Sequence, residues 1–333
     1  MENSKKENAF MNSRFVKVVG PQKVVILLVL IALCVFFYIM SPSFRQYSTV
    51  LSILDYTYYI TFMAIGVTFC LITGGVDLSL GTGMICYGLI GGHFINQLGC
   101  PVGVGILVTL VAAVLFGVFN GVLVGVLELP PFIATLGTMM ITRGYGSLAT
   151  GGLSETWPAK GTPGGWFRSI FKVSVGSVKV PIGILWLVLL IIIMSVILNH
   201  TKIGRYIIAI GSNKEATRLS GVNVVKYTMA AYIISGICTG FATIAYAATF
   251  QALAPGTGAG MELDAIGGAI IGGTAMTGGS GTITGTIIGV FIMSVLKTGL
   301  PYVGLQANWQ QVIIGIVLII AVLLDVMKNR KIA

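Results

Sequence analysis

Apolar residues in this chain come in long runs separated by short polar or glycine-rich segments. Runs such as 24–40 and 185–198 approach the ~20 residues that a helix needs to cross a ~30 Å hydrocarbon core. They show no period-2 alternation of the kind that marks a transmembrane barrel strand. In lipid, helices and closed barrels are the forms that satisfy their own backbone groups. The pattern therefore predicts an all-α integral membrane protein, a polytopic bundle of about ten transmembrane helices, some of them short or broken. Spans are expected near 24–41, 50–72, 81–97, 104–127, 132–149, 182–198, 227–250, 263–277, 281–299 and 309–327. The third and eighth are short and glycine-rich, which marks them as candidates for broken or re-entrant helices beside a pathway.

Composition agrees with a lipid environment. Of 333 residues, 56% are hydrophobic and 9% charged, too few charges for a soluble domain, where about 25% is usual. The formal charge of +10 does not point to nucleic acid, because the basic residues sit at the chain ends and in one internal loop rather than along one face. Ten spans put both termini on one side of the membrane. That side would carry Lys5, Lys6, Arg14, Lys17, Lys23, Lys202, Arg205, Lys214, Arg218, Lys226, Lys328, Arg330 and Lys331. The other side would carry Arg45, Lys160, Arg168, Lys172 and Lys179. The positive-inside rule then assigns the termini and loop 200–226 to the cytoplasm. The expected organisation is a tail at 1–22, a membrane domain at 23–327 and a tail at 328–333. The first apolar run follows a basic segment without a convincing small-residue cleavage site, so it reads as a retained span.

Glycines recur at steps of four at Gly117, Gly121 and Gly125, and again at Gly281, Gly285 and Gly289. Each set lies on one helix face, where small residues let backbones pack closely in lipid. Such faces also permit sliding. Five scattered cysteines, Cys34, Cys70, Cys86, Cys100 and Cys238, lack metal or disulfide spacing and read as small apolar fillers.

Three stretches depart from ordinary loops. In Gly74-Gly75-Val76-Asp77-Leu78-Ser79-Leu80-Gly81 a carboxylate falls where the apolar character hardly dips. Asp77 or Ser79 can cap the next helix. The alternative is that the break lines a pathway and Asp77 meets a polar solute, since ionisable groups at membrane depth are functional candidates. The second stretch, residues 211–223, reads as a short capped helix: Asn213 or Ser212 caps its start, Glu215 and Arg218 share a face, and Gly221 suits its end. It is either a solvated surface helix or a docking element. The third, residues 260–281, has Glu262 and Asp264 before a short apolar helix and a glycine turn, with Asp264 placed as a helix cap and Glu262 near the outer interface. Residues 61–84 and this third stretch both run an apolar helix into a glycine pair, a hint of two related halves.

Catalytic chemistry is missing. His93 and His200 lie far apart, and nothing has the spacing of a nucleophile with its base or of a metal site. No G-x-x-x-x-G-K-[ST] loop occurs, so any ATPase of the usual phosphate-loop kind is another chain. The sequon at Asn199-His200-Thr201 falls on the cytoplasmic side and carries no information. The chain is read as a transport subunit without cofactor or metal, not as an enzyme.

The motifs Gly74–Gly81, Pro131-Phe132-Ile133-Ala134-Thr135-Leu136-Gly137-Thr138 with Arg143-Gly144, residues 211–224 and residues 262–281 occur in the order found in one known family. From about residue 50 to 327 the chain resembles the permease subunits of bacterial ABC importers for ribose, galactose, xylose and related simple sugars. The segment Asn308-Trp309-Gln310 resembles that family's ending. The resemblance implies a place in the bacterial inner membrane, a second permease copy, identical or related, cytoplasmic ABC ATPase subunits and an extracytoplasmic sugar-binding protein. Loop 211–224 resembles the family's coupling helix, with Asn213, Glu215, Ala216 and Gly221 as ATPase-contacting candidates. Candidate solute-pathway residues are Asp77, Ser79, Asn120, Thr135 and Thr138. Ribose is the first solute expected. Competing readings are an ABC permease for another solute such as a nucleoside, an ion-coupled transporter or channel using Asp77, and a membrane receptor that moves no solute.

Overall fold

The computed structural model of the chain describes residues 20–176 and 178–330. The expected tail at 1–22 therefore lies almost wholly outside the described residues, as do residues 331–333 of the other tail. Helices dominate: α1 (Pro21–Met40), α2 (Tyr47–Ile72), α3 (Leu80–Asn96), α4 (Val102–Gly121), α5 (Pro131–Ala149), α6 (Gly183–His200), α7 (Lys202–Ser212), α8 (Lys214–Leu219), α9 (Val224–Phe250), α10 (Met261–Ile271), α11 (Ile283–Tyr302) and α12 (Ala307–Arg330). A π-helical turn, Val122–Val126, extends α4. Among the described residues, six segments are long and apolar enough to cross a membrane: Gln22–Met40, Tyr47–Ile72, Val102–Val126, Gly183–His200, Val224–Phe250 and Ile283–Tyr302. With α3, α5, α10 and α12 the expected pattern of about ten passes is filled, four of them by shorter or less apolar helices.

Of the two suspect spans, the third is the unbroken helix α3 with a break just before it, and the eighth stops short. Helix α2 ends at Ile72, residues 73–79 are non-helical, and α3 begins only at Leu80. Helix α10 stops at Ile271, six residues before the end expected for the eighth span, and residues 272–282 return to α11 without helix. The stops share one cause. Gly74 and Gly273 take φ of 82° and 92°, left-handed values that glycine adopts without a Cβ penalty. The residues that follow bond back across the last turn, Gly75 N–H to Cys70 O at 3.1 Å and Thr274 N–H to Ala269 O at 3.0 Å. The paired glycines noted in the sequence thus end both helices in the same geometry.

Helices α2 and α9 form the buried centre, packed on each other and flanked by α3, α4, α10 and α11. The glycine faces explain how closely they approach. A Cβ at Gly117 would lie 2.9 Å from Tyr232 O on α9, and one at Gly289 would lie 2.0 Å from Gly268 O on α10. Both faces are packing faces in this conformation. Outward-facing Leu28, Phe36, Leu107, Leu115, Leu185 and Ile319 are exposed, as lipid contact requires.

The two ends of the bundle differ. At the end where α1 starts, here the proximal end, Gln22 approaches Gly273, and α7 and α8 lie across the helix termini. At the distal end, residues 150–182 form a strap. Its strand β1 (Glu155–Thr156) pairs antiparallel with a later strand, Ala252–Leu253, with Glu155 opposite Leu253. Strands β2 (Val173–Val175) and β3 (Val178–Val180) form an exposed hairpin. Trp157 anchors the strap: it is fully buried and its Nε1–H donates to Gly88 O of α3 at 3.0 Å.

Candidate functional site

The five residues proposed from sequence for a pathway come together in one buried hydrogen-bonded knot. Asp77, in the break after α2, is 2% exposed. Its Oδ1 accepts from Ser79 N–H at 3.0 Å, from Ser79 Oγ–H at 2.6 Å and, at 3.5 Å, from Asn120 Nδ2–H of α4. Its Oδ2 accepts from Ser235 Oγ–H of α9 at 2.8 Å. Ser79 Oγ in turn accepts from Asn120 Nδ2 at 2.9 Å, and Asn120 Oδ1 accepts from Thr138 Oγ1 of α5 at 2.6 Å. Thr135 donates to Pro131 O at 2.8 Å and approaches Val76 O at 3.4 Å. The carboxylate of Asp77 thus meets a backbone N–H, two serine hydroxyls and an amide from three separate segments of the chain.

The knot holds non-helical backbone at membrane depth. Val76 C=O, which no helix satisfies, receives Tyr232 O–H at 3.3 Å as well as Thr135. The capping alternative for α3 is met only in part: Ser79 occupies the N-cap position but makes no side-chain cap bond. Asp77 instead closes a local turn onto Ser79 N–H. Sequence reading missed Ser235 and Tyr232, which lie on the apolar α9 and stand out only once α9 is placed against the break.

At the proximal end the three unusual stretches converge. Gly279 N–H, in the turn after α10, donates to Ile72 O at the end of α2 at 2.8 Å. Gly211 of α7 fits into the same point: an added Cβ would lie 1.7 Å from Ile72 O and 2.4 Å from Gly279 N. Helix α8 follows directly. Asn213, not Ser212, caps it, its Oδ1 accepting from Ala216 N–H at 2.9 Å. Glu215 and Arg218 pair at 2.8 Å on the exposed face, and Gly221, with φ of 79°, turns the chain towards α9. Asn213, Glu215, Ala216 and Gly221 are all exposed. Leu219, not singled out from sequence, is the most exposed large apolar side chain described, at 84%.

Beside α8 a cavity of about 570 Å³ opens between its inner side and the ends of α2, α4 and α9. Thr73, Gly75, Glu128, Pro131, Lys214 and Thr228 are among its lining residues. Lys214 Nζ reaches across it to Glu128 Oε1 at 3.5 Å. None of Asp77, Ser79, Asn120, Thr135 and Thr138 borders this cavity.

The third stretch departs from its expected roles. Asp264 does not cap α10, whose N-cap is Gly260 without a side-chain bond. It is buried and pairs with Lys297 of α11, whose ammonium also lies 5.4 Å from the centre of the Tyr56 ring. The partly exposed ammonium of Lys297 takes up the carboxylate in place of the cap. Glu262 is buried too, with Oε1 accepting from Gly260 N–H at 2.9 Å. At the distal strap, Glu155 accepts from Asn96 Nδ2 at 2.6 Å and faces His93 Nδ1 at 3.5 Å.

Comparison with known proteins places this geometry. Residues 49–322 match the family model described as branched-chain amino acid transport system / permease component. The ribose import permease protein RbsC of Escherichia coli (strain K12) is 33% identical over 320 residues, covering 93% of this chain and 94% of that protein. The galactose/methyl galactoside import permease protein MglC of Haemophilus influenzae is 32% identical over 309 residues, covering 87% and 90%. The fructose import permease protein FrcC of Rhizobium meliloti is 30% identical over 311 residues, covering 92% and 85%. No solved structure matches. These relatives carry the same kind of name that the sequence motifs suggested, and they are transport permeases rather than enzymes. The chain belongs to the branched-chain amino acid transport system permease-component family and is a multi-pass membrane transport permease.

Proposed function

We propose that this chain is the permease subunit of an ATP-driven ABC importer for a simple sugar, with a ribose-type solute as the first choice. Its working assembly pairs it with a second permease copy, identical or related, with cytoplasmic ATPase subunits and with an extracytoplasmic sugar-binding protein. It lies in a bacterial inner membrane with both termini and residues 200–226 in the cytoplasm, an orientation that the distribution of Lys and Arg supports. Residues 23–327 form the membrane domain between tails at 1–22 and 328–333.

The observation that carries this reading is the convergence of α8 with both breaks at the proximal end. Helix α8 presents Asn213, Glu215, Ala216 and Gly221 outward for an ATPase, with Leu219 as an apolar tip. Behind it, Gly211 is wedged between the end of α2 and the turn after α10, so α8 cannot shift without pressing on both. ATP-driven closure of the ATPases moves α8 and changes the relative stability of two conformations of the bundle. The cavity beside α8 is the cytoplasmic vestibule of one of them. Asp77, Ser79, Asn120 and Thr138 bond one another here, Thr135 reaches the neighbouring Val76 carbonyl, and all five meet solute in a conformation where the knot has opened.

The relatives' names favour ribose, galactose or fructose, whereas the family description names branched-chain amino acids. ATP-driven uptake by the reconstituted complex, run with these three sugars, a nucleoside and leucine, separates the readings. Transport of a sugar alone supports the proposal, and transport of leucine or nucleoside in its place rejects the sugar assignment. Alanine variants at the five knot residues that all transport like the parent reject their pathway role.

A further inference from the structure

Helix α9 begins three residues after Gly221, at Val224, and so carries any displacement of α8 into the membrane. Its half towards α8 meets its neighbours largely through glycines, whereas its far half packs Phe241, Tyr246 and Phe250 against aromatic rings of α2. Against α4 it meets Gly117 and Gly121, and against α2 it meets Gly66, whose added Cβ would lie 2.9 Å from Cys238 Cβ. Surfaces of this kind hold helices close without fixing their position along the axis. Directional bonds are what transmit axial movement, and two side chains of α9 reach the break after α2. Tyr232 O–H donates to Val76 O at the longer distance of 3.3 Å, while Ser235 Oγ–H donates to the Asp77 carboxylate at 2.8 Å.

Beyond Asp77 the bonds branch. Its other oxygen holds Ser79, the residue from which α3 starts. Ser79 holds Asn120 of α4, and Asn120 holds Thr138 of α5. Ser235 lies 11 residues into α9 from Val224, about 17 Å along the axis at 1.5 Å per residue.

We infer that Ser235 is the positioning residue that carries movement of α8, through the Asp77 carboxylate, into the break after α2 and the helices bonded to it. The inference rests on the importer reading above and deepens it: ATP hydrolysis is tied to solute movement by one hydroxyl–carboxylate bond between α9 and the break. Without that bond the break loses its shortest tie to α9, and movement of α9 reaches it only through Tyr232 and, by way of α3, through Thr243, whose hydroxyl donates to Met84 O at 3.0 Å.

The test is the ratio of sugar taken up to ATP hydrolysed in proteoliposomes holding the full complex with its ATPase and sugar-loaded binding protein. Ser235→Ala lowers that ratio by about fivefold, the factor for losing one hydrogen bond, while ATP hydrolysis per assembled complex persists. Tyr232→Phe, which removes the longer neighbouring bond, causes a smaller loss. Asp77→Asn combined with Ser235→Ala lowers the ratio no further than Asp77→Asn alone, because both act through one bond. An unchanged ratio in Ser235→Ala overturns the inference, as does uptake and hydrolysis falling in proportion, the signature of a merely structural role. A parent complex that shows no ATP-driven uptake overturns the importer reading itself.

Discussion

Asp77, in the break after α2, and Asp264, in the helix α10 that leads into the second break, are both buried, and the protein holds them by opposite means. Asp77 is held by neutral donors: a backbone N–H, two serine hydroxyls and, more distantly, an amide. Asp264 is held by a full opposite charge, the ammonium of Lys297. The first arrangement spreads one charge over bonds that run to separate helices, each of which can exchange partners. The second concentrates two charges in one contact between α10 and α11, where losing either partner strands the other in a water-poor interior. The difference suggests a division of labour. The Asp264 break is clamped and the Asp77 break is adjustable, and it is the adjustable one whose neighbours include the helix that follows α8.

Removing one partner of the clamp gives the largest expected effect. Asp264→Ala leaves Lys297 unpaired and lowers stability by about 3–5 kcal/mol, measured as thermal unfolding of the purified protein in detergent. Replacing the pair together, Asp264→Leu with Lys297→Met, recovers most of that loss, because no charge is left behind. Asp77→Asn keeps the shape of the side chain but weakens bonds to a charge, for a smaller loss of about 1.5–3 kcal/mol in the same measurement. A loss at Asp77 exceeding that at Asp264 breaks the proposed division. The smallest effect tests the seam between the breaks, where the Thr68 and Thr286 hydroxyls of α2 and α11 lie 2.9 Å apart. Thr68→Val costs about 0.5–1.5 kcal/mol, and Thr68→Val with Thr286→Val less than the sum of the singles.

Much of the architecture was legible because lipid imposes a simple code. Span lengths, glycine steps and the suspect third and eighth spans all follow from apolar runs and their interruptions; the eighth does stop short, whereas the third is a continuous helix whose break lies just before it. The residues of the knot were legible as polar groups in apolar surroundings, and Asn213 as a cap followed from local chemistry alone. Tertiary partners were not. Lys297 sits inside an apolar run with nothing nearby in sequence to mark it as the partner of Asp264, 33 residues away. Ser235 is one small hydroxyl on a helix that reads as ordinary packing, and its meaning comes from a carboxylate 158 residues distant. The distal strap was hidden for a different reason. Its strands are two or three residues long, and Trp157 gains its role only from the carbonyl of Gly88.

The most direct test of the central claim is uptake into proteoliposomes holding this chain, its ATPase and its binding protein, with ATP on the ATPase side. Parent protein is compared with Glu215→Ala and Gly221→Pro, which alter the exposed face and the closing turn of α8. Uptake that requires ATP and falls in both variants, more in Gly221→Pro because proline cannot adopt a positive φ, is the predicted result. Uptake that follows an ion gradient without the ATPase, and is indifferent to both substitutions, contradicts the account.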